Sequence, residues 1–180
     1  MIEYYTFKHR GGAEEYRDEI FLRLTPTLTV AIFSGSKLES APKSQSLLFS
    51  EILSSEEGSK SMNELHSVFE ECLDHEAEYL ILRVAGTGVE CVRRGDVSAK
   101  IVCNGQISLL PNGFFGLSRE DWIICATSNF YKPLSDEGIL ADALVSSSCS
   151  DWMNMLVRRI SDQNQLKCGN LSAVTLKLDV

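Results

Sequence analysis

The sequence predicts an α+β fold, a four-layer α-β-β-α sandwich of two antiparallel sheets flanked by helix pairs. Three observations lead there. Strand patterns fall in blocks with tight connections, two amphipathic helical segments follow the first block and two more follow the second, and one last strand closes the chain. Each amphipathic helix must bury its apolar stripe, and a sheet packed on a second sheet still offers its outer face to a helix pair.

Ile2–Lys8 reads as an edge strand, with Tyr4, Tyr5 and Phe7 as aromatic β-formers. After a polar loop, His9–Arg17, come strands Glu19–Leu24 and Thr27–Phe33, joined at Thr25-Pro26. Pro42 suits the first turn of a helix whose stripe is Leu48, Phe49, Ile52 and Leu53. Beyond the serine- and glutamate-rich loop Ser54–Lys60, the capping box Ser61-x-x-Glu64 opens a second helix. Its apolar face is Met62, Leu65, Phe69 and Cys72, widened by Val68 and Leu73. Tyr79–Val84 is apolar on both faces, so a buried strand is expected, and Ala85–Gly88 turns it into Val89–Val92. Val97–Cys103 alternates like a half-exposed strand, and Asn104-Gly105 is a strong hairpin signal leading into Gln106–Leu110. Following Pro111–Gly116, strand Trp122–Ala126 delivers Thr127-Ser128-Asn129. Ser135 caps a helix carrying Ile139, Leu140 and Leu144; Ser150 caps another, with Trp152, Met153, Leu156, Val157 and Ile160 on one face. Val174, Leu176 and Leu178 form the closing strand. With no repeat or linker visible, residues 1–180 read as a single domain.

Composition excludes several classes. No apolar run approaches the roughly 20 residues that span a bilayer, and Met1-Ile-Glu-Tyr-Tyr5 lacks the features of a signal peptide. A soluble, intracellular, cytoplasmic protein is expected, with no membrane partner. A net charge of −8 repels phosphate backbones, and Arg93-Arg94 and Arg158-Arg159 are only pairs, so no nucleic-acid partner is expected. The six cysteines (72, 91, 103, 125, 149 and 168) show neither CxxC nor Cys/His spacing and read as free thiols. None lies in an arginine-ended, glycine-rich phosphate loop, which excludes thiol phosphatase chemistry. Met1-Ile2 offers no Thr, Ser or Cys for an N-terminal nucleophile.

Three strand ends share one form. Thr29–Gly35, Asp121–Asn129 and Gly169–Leu178 each join a short apolar strand to a small polar pair: Ser34-Gly35, Ser128-Asn129 and Gly169-Asn170. Arg17-Asp18 precedes the second strand, Arg94-Gly95-Asp96-Val97-Ser98-Ala99 precedes another, and Phe115-Gly116 precedes the strand into Thr127. In order and interval these segments resemble the metal-dependent serine/threonine protein phosphatases of type 2C over nearly the whole chain. That resemblance implies the same four-layer sandwich. It also implies Asp-Gly at Ser34-Gly35, Ser-Asp-Gly at Thr127-Ser128-Asn129, Asp-Asn at Gly169-Asn170, and Gly-Asp-Ser-Arg-Ala around Gly95-Asp96. In the family the Asp-Gly aspartate bridges two ions and the other two aspartates complete one site; this chain has Ser34, Ser128 and Gly169 there.

Mg²⁺ and Mn²⁺ are hard ions that need oxygen ligands, and a bridged pair of them generates the attacking hydroxide. A neutral hydroxyl is a poor replacement for a carboxylate, and glycine offers no side chain. Asp18 and Asp96 are the residual carboxylates, and the motif's arginine has become Ser98. Asp121, Asp136, Asp151 and Asp162 are the other acids a shifted alignment brings in, with Asp136 and Asp151 better explained as first-turn helix charges. The expectation is therefore a degenerate metal site at Ser34, Gly35, Ser128, Asn129, Gly169 and Asn170, with no metal cofactor and no catalytic residue. The chain then reads as a pseudophosphatase acting in signalling through an unidentified protein partner. The alternative is a divergent but active phosphoserine/phosphothreonine phosphatase using Mg²⁺ or Mn²⁺ on relocated ligands.

Overall fold

The computed structural model describes residues 2–39, 41–55, 59–118, 120–163, 165–167 and 169–178. Cys168 and positions 56–58 of the Ser54–Lys60 loop lie outside them. The strands are β1 Ile2–His9, β2 Glu19–Arg23, β3 Thr29–Ser34, β4 Glu78–Ala85, β5 Gly88–Arg94, β6 Ser98–Cys103, β7 Gln106–Leu109, β8 Gly113–Gly116, β9 Asp121–Ala126 and β10 Leu171–Leu178. The helices are α1 Pro42–Ser54, α2 Met62–Cys72, α3 Ser128–Tyr131, α4 Asp136–Val145 and α5 Cys149–Asp162. One antiparallel sheet has the order β1-β10-β9-β6-β7 and the other β2-β3-β4-β5-β8.

Strand alternation sorts side chains into three cores. Val30 and Ile32 of β3, Leu80 and Leu82 of β4, Ile123 and Cys125 of β9, and Val174, Leu176 and Leu178 of β10 fill the space between the sheets. The opposite residues of β3 and β4, Ala31, Phe33, Tyr79 and Ile81, pack under α1 and α2 with Phe49, Leu65 and Phe69. On the other outer face Trp122, Ile124 and Ala126 meet Trp152, Met153, Leu156 and Ile160 of α5. The expected four layers are present. Among the described residues no helix is long and apolar enough to cross a membrane.

Local signals explain most boundaries. Ser61 accepts from the Glu64 N–H while the Glu64 carboxylate accepts from the Ser61 N–H, the capping box of α2. Asn104 and Gly105 have φ of 50° and 72°, the left-handed pair that a two-residue hairpin requires between β6 and β7. Arg159 of α5 forks onto buried Asp142 of α4 through Nε (2.6 Å) and the guanidinium's second amino group (2.8 Å). Arg159→Ala leaves that carboxylate without its partner and is expected to cost about 2 kcal/mol in urea unfolding. A change below about 0.5 kcal/mol, the usual scatter of surface substitutions, would contradict the role.

Several expectations are corrected. Cys72 and Leu144 are exposed; the core contacts of those helix ends come from Phe69 and Leu73 and from Ala143 instead. The cap of α5 is Ser148, whose side chain accepts from the Asp151 N–H, rather than Ser150; Glu3 Oε1 accepts from the Cys149 N–H at 2.8 Å and fixes where the helix starts. β6 is largely buried rather than half-exposed: Ser98 is buried and Val102 joins the core under α5, while partly buried Lys100 lies over the Tyr131 ring at 4.8 Å and pairs with Asp136. Gly113–Gly116 forms an extra strand against β5. Of the cysteines, Cys91, Cys125 and Cys149 are buried, Cys103 is partly buried, and all five described thiols are free.

Candidate functional site

Antiparallel pairing brings the C-terminal end of one strand beside the N-terminal start of the next. At one end of the sandwich this gathers Asp18 before β2, Ser34 ending β3, Glu78 opening β4 and the Gly95-Asp96 turn between β5 and β6. The facing sheet contributes Thr127 after β9 and Asn170 to Ser172 at the start of β10. Ser34 and Glu78 are register partners.

Asp18 is 3% exposed and lies inside a set of hydroxyls. Ser34 Oγ donates to Oδ1 at 3.1 Å and Ser172 Oγ donates to Oδ2 at 2.7 Å. Because Ser172 spends its proton on Asp18, the Tyr16 hydroxyl, 2.6 Å away, donates to the serine oxygen. Burial raises Asp18 from 3.8 to about 6, against the lowering effect of its hydrogen bonds from Ser172, Ser34 and the Gly35 backbone. Burial likewise pushes the Tyr16 hydroxyl well above its ordinary range.

A second cluster sits beside the first. Lys37 Nζ reaches Glu78 Oε1 at 2.6 Å and Asp96 Oδ2 at 3.1 Å. Glu78 is 3% exposed, and the Asp96 backbone N–H also donates to its Oε1 at 3.1 Å. Gly95, at φ 78°, turns directly over that carboxyl group; a Cβ there would stand 2.6 Å from Oε1. The hydrogen bonds from Lys37 to Glu78 and Asp96 hold its ammonium charged, raising its pKa.

Above these clusters lies an open cleft of 590 Å³, lined in part by Ser128, Asn129, Gly169, Asn170, Ser36 and Lys37. Its wall is the loop before β2, held by buried Asn170. The Asn170 side chain accepts from the Arg17 N–H at 2.7 Å and donates to the carbonyls of Arg10 (3.1 Å) and Glu15 (3.0 Å). Asn129 Nδ2 in turn donates to the Asn170 carbonyl at 3.3 Å.

The structure thus brings together the positions singled out from sequence, but not as one lining. Ser128, Asn129, Gly169 and Asn170 face the cleft, Ser34, Gly35 and Asp18 are buried, and exposed Asp96 connects through Lys37. Asp121 opens β9 at the far end and accepts from the Ser118 N–H, and Asp136 and Asp151 serve helix starts. Tyr16, Lys37, Glu78 and Ser172 were missed. A polar residue at a strand end was the only available signal for Glu78 and Ser172; nothing local marks Lys37.

The donor set does not fit a pair of hard divalent ions, which need several free carboxylate oxygens. Both Asp18 oxygens accept from hydroxyls, Asn170 Oδ1 is taken by Arg17, and Lys37 occupies Glu78 and Asp96. Among the described residues no three His, Cys, Asp or Glu side chains converge as a metal-binding group.

No protein-family model matches the chain, and no curated protein does. Solved structures do. The Mycobacterium tuberculosis serine/threonine phosphatase PstP/Ppp superposes with a TM-score of 0.77 at 14% identity, covering 99% of both chains. RsbX, solved in complex with magnesium, gives 0.80 at 13% identity over 98% of this chain and 95% of its own. The photosystem II phosphatase PBCP gives 0.79 at 12% identity over 99% of each. The fold is that of the type 2C phosphatases.

Proposed function

We propose that this chain is a single, catalytically inactive phosphatase-like domain, a pseudophosphatase that works in cytoplasmic signalling by binding another protein. The observation that carries this reading is the Ser34 hydroxyl donating to Asp18 at 3.1 Å. It stands where the resemblance places a carboxylate bridging two metals. A hydroxyl donor aimed at the neighbouring acid satisfies that acid internally instead of joining it in holding cations. Ser128 and Gly169 supply no anion at the other two matching positions. PstP has been solved with two manganese ions and RsbX with magnesium; the polar cleft between Asn129 and Lys37 here is instead suited to hydrogen bonding a protein segment.

The test is turnover. Purified protein incubated with an aryl phosphate and with a phosphothreonine peptide, with Mn²⁺ or Mg²⁺ in excess, is expected to release phosphate at the buffer rate. Metal-dependent release that is lost in Asp18→Asn would overturn the inactive reading and favour a phosphatase with relocated ligands.

A further inference from the structure

We propose that Glu78 and Asp96 form a cation site whose resident cation is the chain's own Lys37 ammonium, and that this site takes a single divalent ion, Mg²⁺ or Mn²⁺, once the ammonium is removed. The site is built. Glu78 is placed by its register opposite Ser34, covered by Gly95 and clamped by the Asp96 N–H, so its carboxylate is fixed before any cation arrives. Lys37 reaches it from the loop after β3, and its own side chain is 54% exposed, so the cation comes from the cleft side.

The charge count is incomplete with Lys37 in place. One ammonium faces two carboxylates, buried Glu78 and exposed Asp96, and Glu78 Oε2 is buried with no hydrogen-bond partner among the described residues. An anionic oxygen shut away from water without a donor is destabilising. A divalent ion balances both carboxylates, and it gives Oε2 a partner where it takes the Glu78 carboxylate through both oxygens. Asp18, close enough for Glu78 to raise its pKa, adds further negative potential. An ammonium in this place satisfies part of that demand while denying the position to a free ion. The inference rests on the inactive reading, in which the chain no longer needs metals for catalysis.

Mn²⁺ binding counted by electron paramagnetic resonance tests it, with thermal melting of the same samples. The wild type is expected to bind no ion, Lys37→Ala one per chain, and Lys37→Ala with Glu78→Gln none. Lys37→Arg, which keeps the charge, is expected to behave as the wild type. Without metal, Lys37→Ala should melt lower and the added Glu78→Gln should recover part of the loss. Absence of Mn²⁺ from folded Lys37→Ala overturns this inference and leaves the inactive reading intact. Equal binding by the wild type and Lys37→Ala also overturns it. If Lys37→Ala does not fold, Lys37→Met, which keeps the length of the side chain without its charge, replaces it in the Mn²⁺ count: one ion per chain supports the site and none overturns it. Metal-dependent phosphate release by the wild type overturns the inactive reading and this inference with it, whereas the Lys37→Ala result overturns the inference alone.

Discussion

Asn170→Ala is expected to lower the unfolding free energy by about 3 kcal/mol. Its side chain is 3% exposed and makes three hydrogen bonds to the backbone of one loop, at Arg10, Glu15 and Arg17. Each such bond contributes about 1 kcal/mol net, and a partner left buried and unpaired costs about 1–3 kcal/mol. Arg10 and Glu15 are exposed residues whose carbonyls can turn to water, whereas the half-buried Arg17 N–H has less access, so the total stays near the lower part of the sum. The loop is also the wall of the cleft, so amide exchange at Arg17 should accelerate with the stability loss. Asn170→Asp separates the two sides of the interaction. It keeps the acceptor for Arg17 but turns an anion toward two carbonyls, and should be destabilised to a comparable degree. Urea unfolding within about 0.5 kcal/mol of wild type for both variants, as for a neutral surface change, would contradict the anchoring role.

The second large effect is a pH dependence from Asp18. Its pKa is about 6 when folded against the 3.8 of an ordinary aspartate carboxyl, raised chiefly by burial. The folded state therefore holds the proton more tightly than the unfolded state. Stability from this group is fully present below pH ~4, falls as pH rises through the folded value near 6, and is flat above it. The difference of about two pKa units corresponds to about 3 kcal/mol. Asp18→Asn removes the titration, so its stability relative to wild type should rise between pH 4 and 7. Urea midpoints measured for both proteins over that range give the difference directly, with other titrating groups cancelling. Parallel wild-type and Asp18→Asn profiles would show that the Asp18 carboxyl is not shifted upward.

The fold was largely legible because each level of the sequence agreed. Residues of β3, β4 and β9 alternate between two cores, and Ser61 and Asn104-Gly105 are local signals that fix their elements without help from distant contacts. The errors fall where tertiary contacts decide. Four serines from Ser146 to Ser150 offer caps, and Glu3, far away in sequence, selects the start at Cys149. Gly113–Gly116 carries no strand pattern of its own, with two glycines bracketing two phenylalanines, and its strand is defined by pairing with β5.

The candidate site divides in the same way. Ser34, Ser128, Asn129, Gly169 and Asn170 could be found because each ends or begins a strand pattern. Lys37, Glu78 and Ser172 could not, since what defines them is pairing over long sequence distances: Lys37 with Asp96, Ser34 with Glu78 in register, and Ser172 with Asp18. The substitution of carboxylates by small residues was visible in the sequence; the hydroxyl set around Asp18 and the ammonium between two acids needed three dimensions.

Calorimetric titration of Mn²⁺ into the wild-type protein at neutral pH tests the central claim most directly. The Asp18–Ser34–Ser172 arrangement and the Lys37-filled acid pair are expected to give no saturable heat. Saturable binding of two ions per chain would contradict that account, because it would require both clusters to release their internal partners.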